Sequence, residues 1–207
     1  MTSVKSLSSQ YVAVATLVAG CSSRYKRVVA QKKLSRETLL PKLAAYVLEH
    51  GLDSLSLRPL AKAAGTSDRM LIYHFGSKDQ LVADLLGHLA QMFAAGLDAA
   101  MPKGRSASRQ DCFEQVIEAT AQPDFAPFFQ LWWDIVAGCA RGNTAYLASA
   151  GTIMDLLLEW VANHLPADDP DPETGARMVL TMIEGSQMMG AIGRKSIAQG
   201  VGNTLNS

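Results

Sequence analysis

Acidic residues are missing from the first 34 positions of this chain, which carry six basic ones: Lys5, Arg24, Lys26, Arg27, Lys32 and Lys33. Cysteine is also scarce. Cys21, Cys112 and Cys139 are odd in number and form no Cys-x-x-Cys pair, which argues against a disulfide framework or zinc finger and for a reducing compartment. No apolar run approaches the ~18–20 residues that cross a bilayer, so a soluble chain without a membrane partner is expected. His50, His74, His88 and His164 show no His-Glu-x-x-His or other metal spacing, and no Gly-x-Ser-x-Gly elbow is present. Gly190-Ala-Ile-Gly-Arg-Lys-Ser has the flavour of a phosphate loop, but Arg194 separates Gly193 from Lys195-Ser196. It also ends a helix instead of following a strand. Cys139 lies among aromatics, where a thiol is usually inert. No enzymatic chemistry, metal or cofactor is expected.

With 207 residues, 48% of them hydrophobic and 18% charged, the chain can bury a good core and still have apolar surface to hide, as in an oligomer. Its zero net charge conceals a polarity. Residues 1–80 hold twelve Lys/Arg against five Asp/Glu, and residues 81–207 hold seven against fourteen. A basic end suits phosphates and an acidic end is kept off them. Most of the excess belongs to the N-terminal arm, since residues 36–80 alone hold six basic and five acidic residues.

The most informative stretch is Ser56 to Lys78. Leu57, Leu60, Ala61 and Ala64 recur at i, i+3, i+4, i+7, giving a short helix one apolar stripe. Ser56 suits its N-cap, Pro59 falls in the first turn, and Gly65 ends it where a left-handed residue is needed. Ser67 caps a second helix that runs to about Phe75, closed by Gly76. Two short helices joined by a tight Gly turn make a helix-turn-helix. On the second helix Leu71, Ile72 and Phe75 point one way, Thr66, Arg69, Met70 and Tyr73 point away from them, and His74 lies on the flank. Arg, Met and Tyr suit a DNA major groove, where Arg forks onto guanine and Met or Tyr meets a thymine methyl.

The Ser56-Leu57-Arg58 entry, Leu60-Ala61, Ala64-Gly65-Thr66-Ser67, Leu71, His74-Phe75, Ser77-Lys78 and Leu81 resemble the DNA-binding domain of the TetR family of bacterial transcriptional repressors. The resemblance covers about a quarter of the chain. It implies a cytoplasmic, all-α homodimeric regulator whose DNA contacts are Ser56, Arg58, Thr66, Ser67, Asp68, Arg69, Met70, Tyr73, His74 and Lys78. The family usually places a phosphate-touching Tyr directly after the Leu71 position. Here that slot is Ile72 and the Tyr follows at Tyr73, which shifts it toward the bases.

The domains expected are a basic extension over 1–34, a DNA-binding unit over 35–80, a helical effector-binding and dimerisation unit over 81–199, and a structureless tail over 200–207. Within the extension, Lys5, a short apolar run and Val18-Ala19-Gly20-Cys21 resemble a bacterial lipoprotein signal. A DNA-reading domain behind it argues against export, leaving a basic arm or an extension with little structure of its own. The first helix of the head carries Leu40, Leu43, Ala44, Val47 and Leu48 on one face and ends at Gly51. A cap at Ser35 would put Pro41 where its N–H is required, so a start near Thr38 or a kink is expected. Ser77-Lys78-Asp79-Gln80 reads as a capping box opening a helix with Leu81, Leu85, Leu86, Leu89 and Phe93 as its stripe. Lys78 resembles the family's phosphate-meeting lysine, at a helix start that favours an anion.

Past the Pro/Gly/Ser-rich residues 101–108, Cys112, Phe113, Val116, Ile117 and Thr120 form a helical stripe that Pro123 stops. Phe125, Phe128, Phe129, Trp132, Trp133 and Val136 follow as a broad aromatic face. Such a face is either plain core or a binding pocket. The resemblance implies the latter, for a small apolar or aromatic effector, with Phe93, Phe113, Phe129, Trp132, Trp133, Met154 and Met182 as lining. Two long helices close the chain, one over about 144–164 with Leu147, Ile153, Met154, Leu157, Leu158 and Val161, and one from about Glu173 with Met178, Val179 and Ile192. The resemblance implies that they pair with their symmetry mates through Leu157, Val161, Met182, Gly185, Ser186, Met189 and Gly190. The function expected is a repressor that leaves a near-palindromic double-stranded operator when the effector binds. A helix-turn-helix regulator without a ligand is the alternative, and a lipoprotein using Cys21 a more distant one.

Overall fold

The computed structural model describes residues 34–52 and 55–206. The basic extension over residues 1–33 and Cys21 lie outside the described residues. From Leu34 onward the chain forms one compact unit, and among the described residues every regular element is helical. The elements run α1 (Arg36–His50), α2 (Leu57–Ala64), α3 (Asp68–Phe75), α4 (Lys78–Ala100), α5 (Arg109–Thr120), α6 (Ala126–Ala140), α7 (Thr144–His164) and α8 (Pro172–Ala191). Short 3₁₀ turns occupy Pro123–Phe125, Lys195–Ala198 and Val201–Asn206.

Local chemistry accounts for most of these boundaries. Side-chain oxygens of Ser67, Ser77, Ser108, Asn143 and Asp171 each accept a backbone N–H from the first turn of the helix they precede, satisfying donors that have no partner within the helix. At the head of α1, Thr38 Oγ1 accepts from Ser35 N at 2.9 Å. The expected start near Thr38 is corrected: α1 begins at Arg36 and runs through Pro41. Pro41 is exposed, so water can serve the carbonyl that its ring leaves unpaired. The capping box at α4 is only half formed. Ser77 Oγ accepts from Gln80 N at 3.0 Å, but the Gln80 amide turns away to Asp84 Oδ1 at 2.6 Å.

Two hydrophobic cores lie along the chain. The first joins Leu39, Leu43 and Val47 of α1 with Leu60, Leu71 and Phe75 of the helix-turn-helix, Leu81, Leu85 and Leu86 of α4, and Leu131 and Ile135 of α6. The second gathers Leu97, Cys112, Val116, Trp160, Val161, Val179 and Ile183. α4 belongs to both, and so connects the head to the body. The C-terminal residues belong to the second core: Leu205 is buried, and a Cβ on Gly202 would sit 2.8 Å from the Phe113 ring. The structureless tail expected from Gly200 is thus a docked 3₁₀ turn.

Other expectations also change. Leu39, absent from the expected stripe of α1, is fully buried, while Leu40 and Leu48 are half-buried. Val136, placed on the broad aromatic face, is exposed, as are Leu147, Met178 and Ile192 of the two closing segments. α6 and α7 are apolar on more than one face, so periodicity alone misjudges which side turns inward; on α6 the inner side is Leu131, Ile135 and Gly138. Finally, α7 does have the length and composition of a membrane span. It carries Asp155 and Glu159 and packs against α4, α6 and α8.

Candidate functional site

The helix-turn-helix is built as its residues require. Gly65 adopts the left-handed conformation (φ 70°, ψ 38°), a region that only Gly enters without a Cβ penalty. This sends the Thr66 N–H back to Ala61 O at 2.9 Å. Lys42 reaches across from α1 and donates its Nζ to Ala64 O at 3.3 Å, closing the C-terminal end of α2. Ser67 Oγ then accepts from Met70 N at 3.3 Å to start α3. Leu71 and Phe75 are locked in the first core with about 1% exposure or less, so the opposite side of α3 faces outward.

That outward side carries the residues expected to read DNA. Arg58, Ser67, Asp68, Arg69 and Lys78 are exposed, with Ser56 at the start of α2, and Thr66 and Met70 are half-buried. Tyr73 is 76% exposed, the most exposed of the large hydrophobic side chains among the described residues. It stands edge-on to His74, with centroids 5.2 Å apart. Among the described residues no carboxylate lies within ion-pair distance of Arg58, Lys62, Arg69 or Lys78. His74 departs from expectation in one respect. Its Nε2 is enclosed and has no hydrogen-bond partner, so that nitrogen is turned away from any duplex.

The sequence reading missed several residues of this face. Arg36 donates Nε to His74 O at 2.7 Å and Nη1 to Asp84 at 3.0 Å, and its guanidinium lies 5.5 Å from the Phe75 ring centre. One side chain of α1 thereby ties the end of α3 to α4. The available signal was electrostatic: a cation in the first turn of a helix opposes the macrodipole and needs a partner elsewhere. Tyr46, His50 and Lys62 were also missed; with Arg58, Thr66 and Asp68 they line an open groove beside the turn.

A second candidate site lies in the body. A cleft with a cavity volume of about 70 Å³ is lined by Phe93, Phe128, Phe129, Trp132, Met154 and Glu184, with aliphatic side chains of α4, α6 and α7 completing it. Phe93 meets the Phe128 and Phe129 rings edge-to-face at 5.7 and 5.8 Å. Of the residues expected to line a pocket, Phe93, Phe129, Trp132 and Met154 converge here. Phe113 does not, because it packs on Gly202 in the second core. Trp133 stacks on the outer side of Phe129 at 6.5 Å, and Met182 packs against the second core; neither lines the cleft. Glu184 was missed. Its Oε2 accepts from Trp132 Nε1 at 2.8 Å, and burial pushes its carboxyl above the usual carboxylate range, with the indole bond opposing. A lone acid between Met178 and Met189 was the signal available.

The residues expected at a subunit interface divide. Leu157 and Val161 are buried inside the chain, where no partner could reach them. Met182, Gly185, Ser186 and Met189 are half-buried and Gly190 is exposed. A Cβ added at Gly185 or Gly190 would meet nothing within 4 Å. Among the described residues no group of three or more His, Cys, Asp or Glu side chains could hold a metal ion.

Comparison with known proteins adds to this geometry. Residues 44–85, which run from α1 through α3 into α4, match the family model of bacterial regulatory proteins, tetR family. The HTH-type transcriptional repressor KstR2 of Mycobacterium tuberculosis is 39% identical over 69 residues, which are 33% of this chain and 34% of KstR2; the match thus spans about a third of that relative's length. The fold extends much further. The crystal structure of SCO7518 from Streptomyces coelicolor A3(2) superposes with a TM-score of 0.63 at 22% identity, covering 83% of this chain and 98% of that one. The multidrug binding protein EbrR, crystallised with imidazole, gives 0.60 at 19% identity over 82% and 88%. With the Gly65 turn and the capped α3 as the local structure behind it, the matched segment is similar to the DNA-binding part of the bacterial regulatory proteins, tetR family.

Proposed function

We propose that the chain is a homodimeric transcriptional repressor that binds a near-palindromic operator through α3 and leaves it when a small apolar or aromatic effector enters the cleft of the body. The observation that carries this reading is the outward side of α3. Arg69 and Tyr73 are exposed there with no acid paired to the arginine among the described residues, while Leu71 and Phe75 hold the helix in place from behind. A helix so fixed suits a major groove, with Arg69 for guanine and Arg58 and Lys78 for phosphates.

Dimerisation is supported by α8. Glycine inside a helix costs roughly 1 kcal/mol relative to Ala, and among the described residues nothing lies within 4 Å of a Cβ added at Gly185 or Gly190. A second copy packed on that side gives the small residues a reason. Two recognition helices spaced by about one DNA turn would then read two half-sites. Release is supported by α4, whose Ser77 cap follows α3 directly and whose Leu86, Leu89 and Phe93 line the cleft. An effector that favours one position of α4 would change head spacing by its differential affinity for the two states. EbrR, crystallised with imidazole, has the same fold. A position in the cytoplasm beside DNA goes with this reading.

The test is a gel shift with DNA from upstream of the gene against scrambled DNA of equal length. Retardation of the native sequence at protein concentrations well below those needed for the scrambled one is expected. Equal retardation of both would end the repressor reading.

A further inference from the structure

Glu184 is an unusual residue for an apolar cleft. Of the thirteen residues lining the cleft, the other twelve are hydrophobic, and no Arg, Lys, Ser, Thr, Asn or Gln is among them. Among the described residues that line the cleft, the one side-chain polar hydrogen, the Trp132 indole N–H, is already given to Glu184 Oε2. A carboxylate or phosphate ligand would therefore find no donor and would face a like charge. A neutral hydrocarbon could fill the space but would leave the acid desolvated and without a counter-charge. Among the described residues no cation forms an ion pair with Glu184. The rings of Phe93, Phe128, Phe129 and Trp132 surround the same space, and their π-faces carry partial negative charge that attracts cations, most strongly where water is excluded. Glu184, Phe93, Phe129 and Leu157 also line a smaller neighbouring cavity of about 20 Å³, so the carboxyl stands between the two.

We propose that the cleft is selective for flat aromatic cations, with Glu184 as the counter-ion and Phe93, Phe128, Phe129 and Trp132 as the aromatic wall. This rests on the reading of the cleft as an effector site and names the chemistry of its ligand. The raised carboxyl follows from the same geometry. Burial disfavours its charge, and an incoming cation restores the charged form as it binds.

The test uses two probes of nearly equal size and shape, 1-methylquinolinium and its uncharged analogue 1-methylnaphthalene. Each is titrated calorimetrically into the full chain and into Glu184→Gln. Glutamine keeps an acceptor for the Trp132 indole, and coinciding thermal melts show that the variant is folded. The wild-type chain is expected to bind the cation at least tenfold more tightly than the hydrocarbon, and Glu184→Gln to abolish that preference by weakening the cation alone. Equal or tighter binding of the hydrocarbon by the wild-type chain overturns the charge inference while leaving an apolar effector site intact. A preference that survives in Glu184→Gln overturns the role of the carboxyl. Binding of neither probe overturns the effector reading of the cleft together with the inference.

Discussion

Arg69 in the head and Arg109 in the body carry the same side chain into opposite circumstances. Arg109 is clamped. Its Nε and Nη2 donate to the two oxygens of Asp169 at 2.7 and 2.6 Å, and Nη2 also reaches Asp171 O at 3.0 Å. The Asp169 side chain is only 3% exposed beneath it. The approach is so close that a Cβ on Gly175 would lie 2.6 Å from Arg109 Nε. Arg69 is exposed, with no acid within ion-pair range among the described residues. A planar fork that satisfies its donors inside the protein holds two segments together; a fork left open keeps them for something outside. Charge count follows the same division, with seven basic and fourteen acidic residues over 81–207 against six and five over 36–80.

The comparison predicts a double dissociation, and its largest effect falls on Arg109. Arg109→Ala should lower unfolding free energy by about 3 kcal/mol, the lower end for breaking an enclosed pair, because removing the arginine also lets water reach Asp169. Urea unfolding measures this, and the ratio of specific to scrambled DNA binding should stay at its wild-type value. A pH dependence follows. Hydrogen bonding from Arg109 holds the Asp169 carboxyl below its ordinary range, so the unfolded chain binds this proton more readily than the folded one. Stability from the pair is therefore complete above the ordinary aspartate pKa of about 3.9 and is lost as pH falls through the lower folded value. In Arg109→Ala that part of the acid sensitivity should vanish.

Arg69→Ala should do the reverse. A lost guanine fork costs about 2 kcal/mol of operator affinity and relaxes sequence preference at one position, while stability changes by no more than about 0.5 kcal/mol, as for other exposed substitutions. If Arg69→Ala kept the wild-type ratio of specific to scrambled binding, Arg69 would not be a reading residue. Arg36 sharpens the contrast, being a head arginine that is clamped. Arg36→Ala should cost about 1 kcal/mol of stability, since the side chain is half exposed. It should also weaken operator binding without altering which base is preferred, because it positions α3 through His74 O and faces no base itself.

The head was more legible in the sequence than the body, and the reason is physical. Helix caps and turns are local: Ser67, Gly65 and Ser77 act on residues three or four positions away, so spacing alone reveals them. The pairing of Arg109 with Asp169 spans 60 positions, and that of Trp132 with Glu184 spans 52; nothing local marks either one. Apolar periodicity failed where helices are greasy all round. It put Val136 on the aromatic face of α6 although that residue is exposed, and the family resemblance offered Phe113 to the cleft when that ring is taken by Gly202. Leu157 and Val161, which the resemblance assigned to a partner, are spent on the chain's own core.

Lys78 offers the smallest and most selective test. It is the first residue of α4, exposed beside the Ser77 cap, where backbone N–H groups favour an anion. A phosphate contact carries no sequence information, so Lys78→Ala should weaken native and scrambled DNA by the same factor and leave their ratio unchanged. Each neutralised phosphate contributes about 0.9 to the slope of log affinity against log salt. In a dimer with one contact per subunit the slope should therefore become shallower by about 1.8, with the two DNA-binding curves converging at high salt. A parallel offset at every salt concentration would instead mean that Lys78 supports the fold of the head and meets no phosphate.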